Sequence, residues 1–192
     1  VTLAASPAAA AEIRLSDDAG RSVSLKQPAQ RIIRLAPHLT ELLFAAGAGG
    51  KIVGTVAYSN YPAEARRIPR VGDNAQLDLE RILALKPDLV LVWRDGNAQR
   101  QLDKLLQLGI PAFYNEPRRL PDIARAIEAF GLLAGTEEAA LSAARAFTAR
   151  LAELRELGMP GRPLRSASTG SRPPGGSPSR CGRRAWRRRS FS

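Results

Sequence analysis

The sequence has one cysteine, Cys181, and one histidine, His38, among 192 residues. That excludes a disulfide framework and a cysteine–histidine zinc cluster. Aromatic residues amount to 5%. No apolar run approaches the roughly 18 residues that a membrane-spanning helix requires. No serine stands in a nucleophile-elbow context, and spacing nominates no partner for His38 in a catalytic triad. The run Gly47-Ala48-Gly49-Gly50-Lys51 fails as a phosphate loop. Ala45 stands where its first glycine belongs, Ile52 replaces its Ser/Thr, and the run follows a helix instead of a strand. It reads as a helix C-cap and turn.

Acidic charge is missing from one place only. Pro160–Ser192 holds nine arginines and no Lys, Asp or Glu. Of 29 basic and 18 acidic side chains, residues 1–159 keep 20 and 18, a net of +2 within a total of +11. The strongly basic character belongs to the tail, which removes the usual reason to expect nucleic acid as partner of the whole chain. Arg, Ser, Gly, Pro and Ala make up 28 of the tail's 33 residues, without helical or strand period, so the tail is expected to be disordered. Two readings compete for it: a basic arm for nucleic acid or acidic lipid, and the out-of-frame product of a GC-rich gene. Composition favours the second. At the other end, residues 1–11 (VTLAASPAAAA) read either as an Ala-rich end or as the remnant of a secretory signal, with Ala9 and Ala11 in the A-x-A arrangement. Export is the favoured reading.

Between these ends the chain alternates. Glu12–Leu15 and Ser22–Leu25 flank Asp17-Asp18-Ala19-Gly20 as a hairpin, with the two aspartates solvated in its turn. Strands are expected at Arg31–Ala36, Lys51–Ala57, Asp88–Trp93 and Ile110–Tyr114. Helices are expected at Leu39–Ala46, Ala63–Arg67, Leu79–Lys86 (capped by Asp78, apolar through Leu79, Ile82, Leu83 and Leu85), from Asn97 to Leu108 (Leu102, Leu105, Leu106 and Leu108 inward), and at Leu120–Leu133. This order indicates an α/β, three-layer parallel-sheet lobe. A longer helix, Thr136–Leu157, carries an apolar stripe of Leu141, Ala144, Phe147, Leu151 and Leu154 and reads as a strut.

Parallel α/β sheets bind ligands beyond the carboxyl ends of their strands. Pro37 and His38, Tyr58, and Trp93 and Arg94 occupy those positions, and the loop around Asn74 belongs to the same edge. Tyr58 and Trp93 offer flat apolar faces with polar tips, suited to a large planar ligand, and Arg94 suits a carboxylate or phosphate. Against this stand plainer readings: Trp93 as a core aromatic closing its strand, and His38 satisfied within the first turn of its helix.

These residues also resemble a known family. DDAGR at Asp17–Arg21, RIIRLAPHLTELLFAAGAG at Arg31–Gly49, YSNYP at Tyr58–Pro62 and LERILALKPDLVLVWRDGNAQRQLDKL at Leu79–Leu105 are similar to the periplasmic solute-binding proteins of ABC transporters for cobalamin, siderophores and heme. YSxYP with W-R-x-G-N-A-x-R-Q resembles the cobalamin branch. The resemblance implies a monomer of two lobes joined by one long helix, holding its ligand in the cleft between them and passing it to an inner-membrane permease. No triad, metal cluster or cofactor loop accompanies the strand-end residues, so a binding site without catalysis, cofactor or metal is expected. The resemblance places Tyr58 and Trp93 against the corrin, and Pro37, His38 and Asn74 along the same cleft. Asn74 stands where some members carry a Trp. Gln99 stands where a Glu often docks onto permease arginines.

The expected organisation is residues 1–11 as signal remnant, 12–135 as N-terminal lobe, 136–158 as bridging helix and 159–192 as an out-of-frame tail with no second lobe. The expected function is that of a truncated cobalamin-binding component of an importer. The alternatives are a heme or siderophore binder of the same fold, and a small α/β module with a nucleic-acid-binding tail.

Overall fold

A computed structural model describes residues 12–73, 76–94 and 99–158. Both termini, with the signal-remnant and out-of-frame readings, lie outside the described residues, as do Asn74 and the expected helix cap Asn97. Strands β1 (Ile13–Ser16) and β2 (Ser22–Leu25) form the expected antiparallel hairpin. A second sheet is parallel throughout: β3 (Ile32–Arg34), β4 (Ile52–Gly54), β5 (Leu89–Val92) and β6 (Ala112–Tyr114), in the spatial order β4-β3-β5-β6. The strands are shorter than the apolar runs that announce them. The helices are α1 (Pro37–Ala45), α2 (Leu79–Ala84), α3 (Gln99–Gln107), α4 (Leu120–Ala134) and α5 (Glu137–Gly158), and Gly49–Lys51 and Ala63–Arg67 are short 3₁₀ helices.

Alternation along β5 explains the layering. Leu89 and Leu91 face a core with Leu39 and Leu43 of α1, Phe130 of α4 and Ala140 and Ala144 of α5. Val90 and Val92 face the other way, into a core with Ile82 of α2 and Leu102 and Leu105 of α3. A strand covered on both faces must be apolar at every position, as this one is. The helix ends follow local chemistry. Pro37 supplies the fixed φ suited to a first turn, Asp78 accepts from Arg81 N at 2.9 Å, and Gly135 adopts φ 66° between α4 and α5.

Three expectations need correcting. Asp17 is not solvated: it is 5% exposed and accepts from Ala19 N (3.0 Å), Arg21 N (2.8 Å), Arg21 Nε (3.2 Å) and Tyr114 N (3.3 Å). Asp18 reaches the same edge, accepting from Glu116 N at 2.6 Å and Asn115 Nδ2 at 3.1 Å. The turn is a clasp between the hairpin and the end of β6. Second, Leu83 and Leu108 are exposed, since α2 meets the sheet through Ile82 and Leu85, and α3 ends at Gln107. Third, the packed stripe of α5 is led by Ala140 and Ala144, whereas Leu141 and Leu154 are exposed. Helix α4 presents Gly131, where a Cβ would sit 2.2 Å from that of Ala140, so only a small side chain can face it.

The clasp carries a definite stability. D17A strips Tyr114 N and the Arg21 backbone and guanidinium of their acceptor in a buried setting, at a cost of about 2–3 kcal/mol in urea unfolding. A loss within about 0.5 kcal/mol, the range of ordinary surface substitutions, would contradict the clasp.

Candidate ligand cleft

The strand order reverses at the β3–β5 pair: the chain runs outward from β3 to β4, then crosses back to lay β5 on the other side of β3. Loops after two such strands diverge, leaving a crevice between them. Leu35 N donates to Leu91 O at 2.9 Å, extending the β3–β5 ladder one step toward that edge. The segments that follow are therefore held side by side. The His38 and Trp93 rings meet edge to face with centroids 5.5 Å apart.

A cleft of about 300 Å³ opens there, lined by Leu35, Ala36, Pro37, Val56, Ala57, Tyr58 and Trp93. Its second wall is firm. Thr55 N donates to Pro69 O, Val71 N to Thr55 O and Ala57 N to Gly72 O, so the chain beyond β4 runs beside residues 70–72. Tyr58 is 78% exposed, with φ at 65°, a left-handed conformation uncommon for a bulky residue. Behind Trp93 lies another cavity of about 460 Å³, lined by His38, Glu41, Leu42, Trp93, Pro117, Ile123 and Phe147.

The sequence-expected residues therefore divide. Pro37, Tyr58 and Trp93 line one cleft, and His38 touches Trp93 from the neighbouring cavity. Arg94 is exposed and lines neither. Gln99 is exposed on α3 and donates to Asp103 Oδ1 at 2.8 Å, a pairing within its own helix. Sequence reasoning missed Arg34, Thr55 and Ser59, all buried under the cleft. The signal was Arg34 standing between Ile33 and Leu35, inside the apolar stretch that follows Arg31. Burial pulls the Arg34 guanidinium down to about 9, so it stays cationic at neutral pH. Burial, with a further push from the Arg34 charge, holds His38 below the ordinary histidine value. Among the described residues no cluster of His, Cys, Asp and Glu could hold a metal ion. An apolar floor between two aromatic rings, with polar groups kept below it, can accept a flat, largely apolar ligand face.

A sequence profile of periplasmic binding proteins matches residues 32–187. The chain belongs to that family. The match reaches into the arginine-rich tail, whereas the curated relatives align over 130 residues. The vitamin B12-binding proteins of Yersinia pestis and Yersinia pseudotuberculosis are each 45% identical over those 130 residues, 68% of this chain and 46% of theirs. Among solved family folds, the periplasmic vitamin B12-binding protein of Vibrio cholerae superposes with a TM-score of 0.65 at 43% identity, covering 68% of this chain and 51% of that one. A periplasmic heme-binding protein from Pseudomonas aeruginosa gives 0.62 at 25% identity, covering 67% and 46%. The chain spans about half the length of these relatives.

His38 sets a pH dependence. Its folded-state pKa lies below the unfolded 6.5, so the unfolded chain takes up the proton first as pH falls. The contribution is fully present above 6.5 and is lost as pH falls from there toward the folded value. Urea unfolding at pH 7.5 and pH 5 should show a larger loss for the wild type than for H38Q. Equal losses would contradict the burial of a neutral imidazole.

Proposed function

We propose that the chain binds a corrinoid, cobalamin or a close relative, at the Tyr58–Trp93 cleft, and that the intact protein delivers it to an ABC permease in the inner membrane. In this reading residues 12–135 form the N-terminal lobe of an exported, monomeric binding protein, and α5 is the strut leading to a second wall. In this reading the cleft binds its ligand unchanged; the family supports this, and His38 packs edge to face against the Trp93 ring. The observation that carries the reading is the pair of aromatic rings at the strand-order reversal, in a chain 45% identical to vitamin B12-binding proteins. Pro37 lines the same floor. Rim roles for Asn74 and Arg94 rest on their places beyond the strand ends, and that of Gln99 at the permease on the resemblance alone.

Size constrains the affinity. A cleft of about 300 Å³ is at the small end of the range of about 300–1,000 Å³ for pockets that enclose drug-sized ligands. It is a wall for a macrocycle, not an enclosure. Titration of the 192-residue chain with cyanocobalamin, followed by tryptophan fluorescence and calorimetry, should give binding weaker than about 10 μM. W93A should remove the signal. Binding at micromolar Kd or tighter would refute an affinity limited by the size of this cleft. Hemin binding more tightly than cyanocobalamin, with retained visible absorption, would move the assignment to the heme branch, for which the 25% identical structural relative is the support.

A further inference from the structure

Arg34, the last residue of β3, is completely buried. No carboxylate pairs with it among the described residues, and its Nε lacks a hydrogen-bond partner. A lone buried cation is costly to fold, and an apolar side chain of similar size would avoid that cost. Its contacts are nonetheless specific. Nη1 donates to Ala36 O at 3.0 Å and to Ser59 Oγ at 2.9 Å, and Nη2 donates to Thr55 Oγ1. Ala36 belongs to one wall of the cleft, and Thr55 and Ser59 bracket the opposite wall. Between them Tyr58 holds its left-handed backbone. A bulky residue keeps such a conformation only where its surroundings enforce it, and such sites cluster at ligand clamps. The planar guanidinium joins both walls from beneath, which a point-charged lysine cannot do in the same geometry.

We infer that Arg34 is the positioning residue of the cleft: it fastens the Thr55–Ser59 segment to the Ala36–Pro37 turn and so fixes where the Tyr58 ring stands. The inference rests on the reading of this cleft as the ligand site and adds how that site is held open and in shape. It also explains why a polar network lies under an apolar floor. Serine and threonine hydroxyls there accept from one rigid donor fork, which adds a tie toward Ala36 to the burial of Val56 and the backbone bonds to residues 69–72.

Three variants separate this from a plain packing role. In R34M the backbone amides of Ala57, Tyr58 and Ser59 should exchange with deuterium at least about tenfold faster while those of β5 keep their protection. In R34K the charge remains, so His38 should titrate as in the wild type, whereas in R34M its pKa should move back toward the ordinary value. S59A keeps the charge and the bonds to Ala36 and Thr55. It should loosen the same three amides without moving His38, and it decides the matter should R34M fail to fold. Unchanged loop exchange in S59A and in any folded R34M, or protection lost evenly across α1, β5 and the loop, would overturn the inference. These readouts need no ligand, so a chain that fails to bind cyanocobalamin refutes the corrinoid reading and leaves the clamp to be judged on the loop. Where the wild type binds cyanocobalamin, R34M should weaken it about tenfold through lost preorganisation. Unchanged affinity with a loosened loop would overturn the positioning role.

Discussion

The side-by-side pairing of β3 and β5 is the constraint on which the rest of the molecule depends. Ile32, Ile33 and Arg34 stand opposite Leu89, Val90 and Leu91 in register, and this pair is the centre of the parallel sheet. Because both strands are covered on both faces, helices must follow them, and because the strand order reverses between them, the chains leaving them part company. The crevice follows from topology. Its aromatic lining follows from which residues happen to stand beyond the strands, Trp93 directly after β5 and Tyr58 four residues after β4.

Much of this was legible in the sequence because the signals are local. An apolar DLVLV run, a proline after a short strand and an aspartate before LERILA each act within a few residues, and they gave the element order and the cap at Asp78. The rule that ligands gather beyond strand ends then selected Pro37, Tyr58 and Trp93, which do share one cleft. Arg94, chosen by the same rule, is exposed and lines neither cavity.

What sequence could not supply was partnership across the chain. Asp17 looked like a turn residue because its acceptor role involves Tyr114, 97 positions away. Arg34 looked like an anomaly in a strand because Thr55 and Ser59, 21 and 25 positions on, reach it only once β4 lies beside β3. The register of α5 depended on Gly131, whose lack of a side chain admits Ala140 where periodicity alone would have put Leu141. In each case the deciding contact is a buried polar group or a steric limit, and neither appears in hydrophobic patterning.

The proposed ligand lies on the cleft beside the β3–β5 pair. The most direct measurement is a map of amide and indole chemical shifts of the isotope-labelled chain titrated with cyanocobalamin. The predicted result is that the largest changes fall on Ala36–Leu39, Val56–Ser59 and the Trp93 indole. Changes centred on Arg21–Ser24 at the opposite edge of the sheet, or none at the highest soluble ligand concentration, would contradict it.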